Sequence, residues 1–369
     1  MINKLKTTDS TREFRECYSW LIHDADTYEK DVNGLITAQY DEAYEQFILS
    51  ILKIEEFVAE VLSTADPGFR VEMDRFGKSR LRPLPLARHF NSILALADRY
   101  SAAYRFSAHV QLFFDCWDAL GPRQVHFSYP HAYSTAIVGP YSVFNYFVES
   151  IRYQSKTDEF KRQLSRQKEK SIQNFQSAVS YIDRLLKRCA RLLVLRIDFS
   201  YLAEHSHRVS AETAKEDFAH FLENRRSNQT LFASWEGYLW KLEWGPLKGC
   251  HFHLIIFFNG SERHKDAYIA QQLGDYWKTI TKGRGIYWNC NSNIEKYKRL
   301  GIGMLDHFDE KKLKVLREDV VRYFTKSDQY LRATALGESK RFGRGIMPAE
   351  RESKAGRPRK DRGAPGREE

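Results

Sequence analysis

Leu231 to Phe258 reads LFASWEGYLWKLEWGPLKGCHFHLIIFF. Leu231 to Trp244 and Cys250 to Phe258 are β-type runs rich in aromatic and branched residues. Gly245-Pro246-Leu247-Lys248-Gly249 between them breaks both regular patterns and reads as the turn of a hairpin. Upstream, Arg191 to Ser200 is another compact strand pattern, followed by a helix from about Ala211 to Arg225. Downstream, Glu262 to Thr279 reads as a helix, Ile286 to Cys290 as a short strand, and Lys311 to Leu331 as an amphipathic helix.

Strand, helix, strand, strand, helix, strand is the ferredoxin-like order. It predicts an α+β fold, an antiparallel sheet with helices packed on it. The preceding half is mainly helical: Tyr44, Phe47, Ile48, Ile51, Leu52, Phe57, Val58 and Val61 recur at helical spacing until Asp66-Pro67-Gly68. Leu164, Ile172, Phe175, Val179, Ile182 and Leu186 form a second such stripe. After Gly343 the chain turns Gly/Pro/Arg-rich, a composition that favours disorder. Three regions are therefore expected: a helical part over 1–185 that carries no catalytic cluster, a sheet domain over 186–343, and a basic tail over 344–369.

At 369 residues the chain is long enough for two or three domains. Lys and Arg number 58 against 48 Asp and Glu, a net of +10 that favours a polyanionic partner, although residues 340–369 alone contribute +5. Five scattered cysteines with no Cys-x-x-Cys argue against a disulfide framework or structural zinc and fit a reducing cytoplasm. Residues 1–10 lack an apolar signal core, and no run approaches the ~20 apolar residues of a membrane span.

His251 and His253 flank Phe252. On a strand, residues two apart share a face, so both imidazoles point one way and can ligate a divalent ion together. With 12 histidines in the chain, one such pair is not specific; His205 and His207 form another, in a polar stretch that reads as a solvated loop. Context favours the first. Glu243 lies across the hairpin, where it can supply a carboxylate ligand, and the open positions would suit a Lewis-acid site holding Mg²⁺ or Mn²⁺. Arg196 and Asp198 share a face on the first strand, and Asp198 could orient a histidine or replace Glu243. Farther on, the Lys311–Leu331 helix buries Leu313, Leu316, Val320 and Phe324 and leaves Tyr323 and Lys326 on a common flank. A phenol is a weak nucleophile at neutral pH, and a nearby cation helps it. Tyr153-x-x-Lys156 repeats that spacing outside the sheet domain, and Tyr330 follows Tyr323 by one heptad. Trp277, Lys278, Lys282, Arg284, Tyr287 and Trp288 form a basic, aromatic cluster that could engage a nucleic acid, and Gly356-Arg357-Pro358-Arg359-Lys360 looks like part of a minor-groove AT-hook.

Two histidines around a bulky apolar residue, then a helix bearing Tyr-x-x-Lys, resemble the HUH endonuclease superfamily. Within it the chain looks most like the inovirus-type (filamentous-phage gene-two-like) replication initiators also found in prophages. The carrying segments are Lys248 to Phe258, KGCHFHLIIFF, and Val320 to Arg332, VVRYFTKSDQYLR. By that resemblance His251, His253 and, less directly, Glu243 would hold the metal, Tyr323 would be the nucleophile and Lys326 its accompanying lysine. The resemblance implies a metal-dependent, site-specific DNA endonuclease and strand transferase acting on origin DNA that is single-stranded at the nick. It implies a host polymerase and helicase as partners, no membrane, and the bacterial host cytoplasm as location. A relaxase or transposase would share the chemistry, and a prophage DNA-binding protein without catalysis would share the fold.

Overall fold

The computed structural model describes residues 15, 26–30, 36–127 and 139–349, apart from 298, 327, 329 and 339. The Gly356–Lys360 motif and most of the basic tail lie outside them. In chain order come β1 (Asp26–Lys30), β2 (Ile36–Tyr40), α1 (Glu42–Ser63), β3 (Phe69–Met73), β4 (Ser79–Pro83), β5 (Tyr104–Phe106), α2 (Ala108–Leu120), α3 (Pro140–Gln154) and α4 (Asp158–Arg188). They are followed by β6 (Arg191–Tyr201), α5 (Ala211–Glu223), β7 (Trp235–Gly245), β8 (Gly249–Asn259), α6 (Asp266–Ile280), β9 (Gly285–Asn289) and β10 (Gly303–Asp306). The segments Glu310–Val315, Leu316–Val321 and Arg322–Lys326 run on as one helix, α7, whose middle is π-helical. β11 (Leu331–Ala333) and β12 (Phe342–Arg344) are the last strands among the described residues.

The chain divides into two compact units. Among the described residues the first takes 15, 42–127, 139–170 and 328–334, the second 26–30, 36–41, 171–326 and 335–349. The first is built on α1, whose Tyr44, Ile48, Ile51, Ile54, Phe57, Val58 and Val61 are buried at helical spacing. Phe57 meets Phe113, Phe144 and Phe147 at centroid separations of 6.1, 6.3 and 6.2 Å. Each such ring adds roughly 1.5–3 kcal/mol by leaving water. Buried Glu55 is satisfied within this unit by the Ser107 hydroxyl and by His109 Nδ1 at 2.7 Å.

In the second unit the antiparallel sheet runs β10-β6-β8-β7-β12, with β9 also on β6. β9 and β10 share that edge of β6, β9 along Ile197–Tyr201 and β10 along Arg191–Val194. The mixed α/β, antiparallel reading and the helical first half therefore hold. Helices cover both faces of the sheet. On one, Phe199 stacks on Trp277 of α6 at 4.7 Å and Phe252 on Phe218 of α5 at 4.6 Å. On the other, Gly237 faces Tyr181 and Leu185 of α4 so closely that a Cβ would lie 2.2 Å from the Tyr181 hydroxyl. Covering both faces explains the unbroken apolar run of β8, every residue of which is buried up to Phe258.

Three boundaries differ from the sequence reading. The units part at residues 170/171, not 185/186, because the second half of α4 belongs to the sheet: besides Tyr181, Ser171 Oγ donates to Thr325 O at 3.2 Å and Ser177 Oγ accepts from Arg344 at 3.0 Å. Arg344 is not tail; β12 pairs with Leu239–Lys241 and covers the β7 edge. The late helix stops at Lys326 rather than Leu331, so Tyr330 belongs to the first unit, buried beside the β11–β5 pair. Among the described residues no helix is long and apolar enough to cross a membrane.

Candidate functional site

The tight β7–β8 turn fixes a register in which Glu243 lies opposite His251 and Lys241 opposite His253, while on the other edge of β8 Asp198 also lies opposite His253. Facing residues share a side of the sheet. Lys241, Glu243, His251, His253, Asp198 and Arg196 thus share one polar patch on the same face of the sheet. Both imidazoles are 1% exposed. One ligand atom from each of Glu243, His251 and His253 can be chosen so that all lie within 4.8 Å of one another.

Each ring is oriented by its inner nitrogen. His251 Nδ1 donates to Gly249 O at 3.0 Å, and His253 Nδ1 donates to Asp198 Oδ1 at 2.7 Å. Both therefore present Nε2 with its lone pair outward. Burial, then the positive charge of Lys248 and the neighbouring His253, hold the His251 imidazole well below its ordinary pKa, so it stays neutral as a ligand must. Burial alone would raise the Asp198 carboxyl; His253 and Arg196 outweigh it and hold the group well below the usual carboxylate range. Burial also opposes the Arg196 charge, but Asp198 sustains it. Beside them, burial and Asp198 push the Cys290 thiol up to about 12, leaving it unreactive.

The donor set fits a divalent ion. His251 Nε2 is buried and has no hydrogen-bond partner among the described residues, an arrangement costly unless something binds there. Two neutral imidazoles and a carboxylate favour Mn²⁺ over Mg²⁺. Glu243 is held by Lys241, whose Nζ lies 2.6 Å from Oε1. That leaves Oε2 as the oxygen toward the histidines, 3.3 Å from His253 Nε2 and 4.0 Å from His251 Nε2.

Tyr323 completes the cluster. Its hydroxyl donates to Glu243 Oε2 at 2.6 Å and lies 3.2 Å from His253 Nε2. α-Helical periodicity places this residue on a flank; the π-helical stretch Leu316–Val321 turns it inward. A π turn takes one residue more than an α turn, which rotates the next turn of helix by about 100°. Accordingly Val321, not Val320, is buried, and Tyr323 is 4% exposed. Lys326 ends the helix one turn later, half-buried. The cations over the Tyr323 ring are Lys241 at 5.2 Å and Arg196 at 5.9 Å. Lys241 is the residue that sequence reasoning missed, although its position two before Glu243 already put it on that face.

Other candidates lie elsewhere. Trp277 is fully buried, its indole Nε1 donating to Ser200 O at 3.0 Å, so it cannot stack on a base. Tyr287 is buried, while half-buried Trp288 lies opposite Asp198 on the patch side. His205 is half-buried and His207 exposed, both outside the patch. Tyr153 belongs to α3 in the first unit, 73% exposed.

Residues 139–345 match the model of the family described as YagK/YfjJ C-terminal domain. The match spans more than half of the chain, which belongs to that family, and it contains every residue of the patch. No curated protein and no solved structure matches the chain.

Replacing Lys241 by methionine is expected to tighten Mn²⁺ binding at least about tenfold, because it removes a positive charge beside a cationic ligand and frees Glu243 Oε1. Titration followed by the resonance of free Mn²⁺ would read this, and Lys241→Arg should stay near wild type. Weaker binding in the methionine variant would show that the lysine holds the ligand in place more than it repels the ion.

Proposed function

We propose that the protein is a metal-dependent DNA strand transferase of the HUH endonuclease type, a phage or prophage initiator that nicks one strand at a rolling-circle origin. The observation that carries this reading is the meeting of Tyr323 with Glu243 and His253, residues 80 and 70 positions away, within 2.6 and 3.2 Å. The sheet supports it: strands β9-β6-β8-β7 follow the ferredoxin-like order.

In the reaction, Tyr323 Oη forms a bond to phosphorus while the bond from phosphorus to the 3′-oxygen breaks. The phenol proton passes to water and the departing 3′-oxygen takes one up from water, so that no net proton is consumed and a 3′-hydroxyl is left that can prime a host polymerase. The other end remains as a 5′-phosphotyrosine, which retains the energy of the cleaved ester and permits rejoining by the reverse step. Lys241 and Arg196 stabilise the phenolate from the ring side. Mg²⁺ or Mn²⁺ held by His251, His253 and Glu243 would supply Lewis-acid polarisation of the phosphate. Because Tyr323 is 4% exposed, a DNA strand reaches it only when α7 moves, and the π-helical stretch is where that helix gives most readily. A host helicase and cytoplasmic location follow from the same reading.

Covalent trapping tests it. Single-stranded oligonucleotides labelled at either end are incubated with the protein and Mn²⁺, and a protein–DNA band carrying only the downstream fragment is expected. Cleavage that leaves no protein on either end would make water the nucleophile and end the proposal. Relaxase- or transposase-like action would give the same adduct from a different sequence.

A further inference from the structure

The β3–β4 ribbon of the first unit carries two unlike faces. Cross-strand register sets Phe69, Val71 and Met73 against Pro83, Leu81 and Ser79, and Arg70 and Glu72 against Arg82 and Arg80. One face is apolar and the other cationic. Val71, Met73 and Leu81 are 52%, 73% and 42% exposed, and Phe76 at the tip is 80% exposed. The tip is nevertheless built: Asp74 Oδ1 accepts the Phe76 and Lys78 backbone N–H groups at 2.9 Å each, and Gly77 supplies the positive φ the turn needs. The Arg75 guanidinium lies 4.8 Å over the Phe76 ring.

Charge on the ribbon is one-sided. Arg70, Arg75, Lys78, Arg80 and Arg82 face only Glu72 and Asp74, and Asp74 is engaged by the turn. Arg82 pairs with Glu72 at 3.0 Å and Arg70 with Asp66 at 3.2 Å, exposed pairs of little strength that a phosphate can replace. Arg75, Lys78 and Arg80 have no ion-pair partner among the described residues. Arg70 lies opposite Arg82, a like-charge rung that the exposed Asp66 and Glu72 pairs offset only weakly.

We propose that this ribbon is a duplex-DNA-binding arm, its cations on the phosphates and Phe76 wedged into a base step. A groove of B-form DNA admits a two-stranded ribbon, and apolar side chains at such tips unstack a step and bend the duplex. The deep, narrow major groove of A-form RNA does not admit it. Duplex binding by the first unit does not depend on strand transfer at Tyr323, since it is read in EDTA without any cleavage.

Anisotropy of a labelled duplex with the full chain in EDTA, between about 50 and about 200 mM salt, tests it. The triple change Arg75→Ala, Lys78→Ala and Arg80→Ala is expected to lower the slope of log affinity against log salt by about 2.7, about 0.9 for each phosphate no longer neutralised. The charge-preserving triple Arg75→Lys, Lys78→Arg and Arg80→Lys should retain the wild-type slope, which separates lost charge from lost folding. Phe76→Ala should keep the slope yet abolish the bend reported by energy transfer between dyes at the duplex ends. An unchanged slope in the alanine triple overturns the proposal. So does equal affinity for duplex RNA, and so does self-association or binding to anionic vesicles that Phe76→Ala removes while DNA binding stays intact.

Discussion

Replacing Tyr323 by phenylalanine is expected to lower strand cleavage by on the order of 10⁴-fold or more, the scale seen when a nucleophile acting with its partners is removed. Mn²⁺ binding should survive, because none of the three side chains that would hold the ion, Glu243, His251 and His253, is touched. A structural signature accompanies the kinetic one. The phenol donates to Glu243 Oε2 at 2.6 Å, a bond to a charged acceptor worth about 1.5–3 kcal/mol. Its loss should destabilise the protein by about that much in EDTA, measured by urea unfolding. In saturating Mn²⁺ the penalty should shrink, since Oε2 then has another partner. Cleavage persisting in this variant would move the nucleophile elsewhere. A stability gap that ignores Mn²⁺ would mean that the hydroxyl and the ion do not compete for one oxygen.

The residues that meet at this oxygen differ in how readable they are. His251, His253, Glu243 and Asp198 are legible because strand alternation has a period of two, and Gly245–Gly249 leaves little choice of register across the hairpin. Lys241 obeys the same parity; it escapes notice because a lysine 1% exposed is rare and no local pattern announces its partner. The inward turn of Tyr323 is not legible. It depends on a π-helical stretch that Leu316–Val321 adopt in the folded chain; Asp319, Val320 and Val321 are weak helix formers, but weak propensity does not distinguish a π turn from an α turn. The unit boundary escapes for a similar reason. α4 is one continuous 31-residue helix, and only contacts such as Tyr181 with Gly237 assign its second half to the sheet. Trp277, basic and aromatic neighbours notwithstanding, is core because its face of α6 meets Phe199.

The two imidazoles, alike as ligands, are expected to differ as structural groups. Without metal, His253→Ala strips the buried Asp198 carboxylate of its 2.7 Å donor and leaves Arg196 Nε and the weakly donating Cys290 Sγ, each at 3.9 Å. His251→Ala removes a ring that donates to Gly249 O and whose Nε2 has no hydrogen-bond partner among the described residues. The packing loss is common to both, so the difference isolates the abandoned charge, about 2–4 kcal/mol against His253→Ala in EDTA. Acid should separate them further. His251 is held well below its ordinary pKa, chiefly by burial. The unfolded imidazole, near ~6.5, therefore takes up a proton that the folded one refuses. This contribution is whole above about pH 6.5 and is lost as pH falls toward the folded value, at up to about 1.4 kcal/mol per unit. Asp198 does not share that window. Its carboxyl is also held low, so its contribution is whole above the unfolded value near ~3.9 and is lost only in stronger acid. Between about pH 6.5 and pH 4, wild type should lose stability that His251→Ala does not, and the gap between them should close. Urea unfolding of both in EDTA across that range would read it directly. Parallel curves would mean that the buried ring accepts its proton as easily as a free one, and a site so tolerant of charge would not hold His251 neutral for a metal.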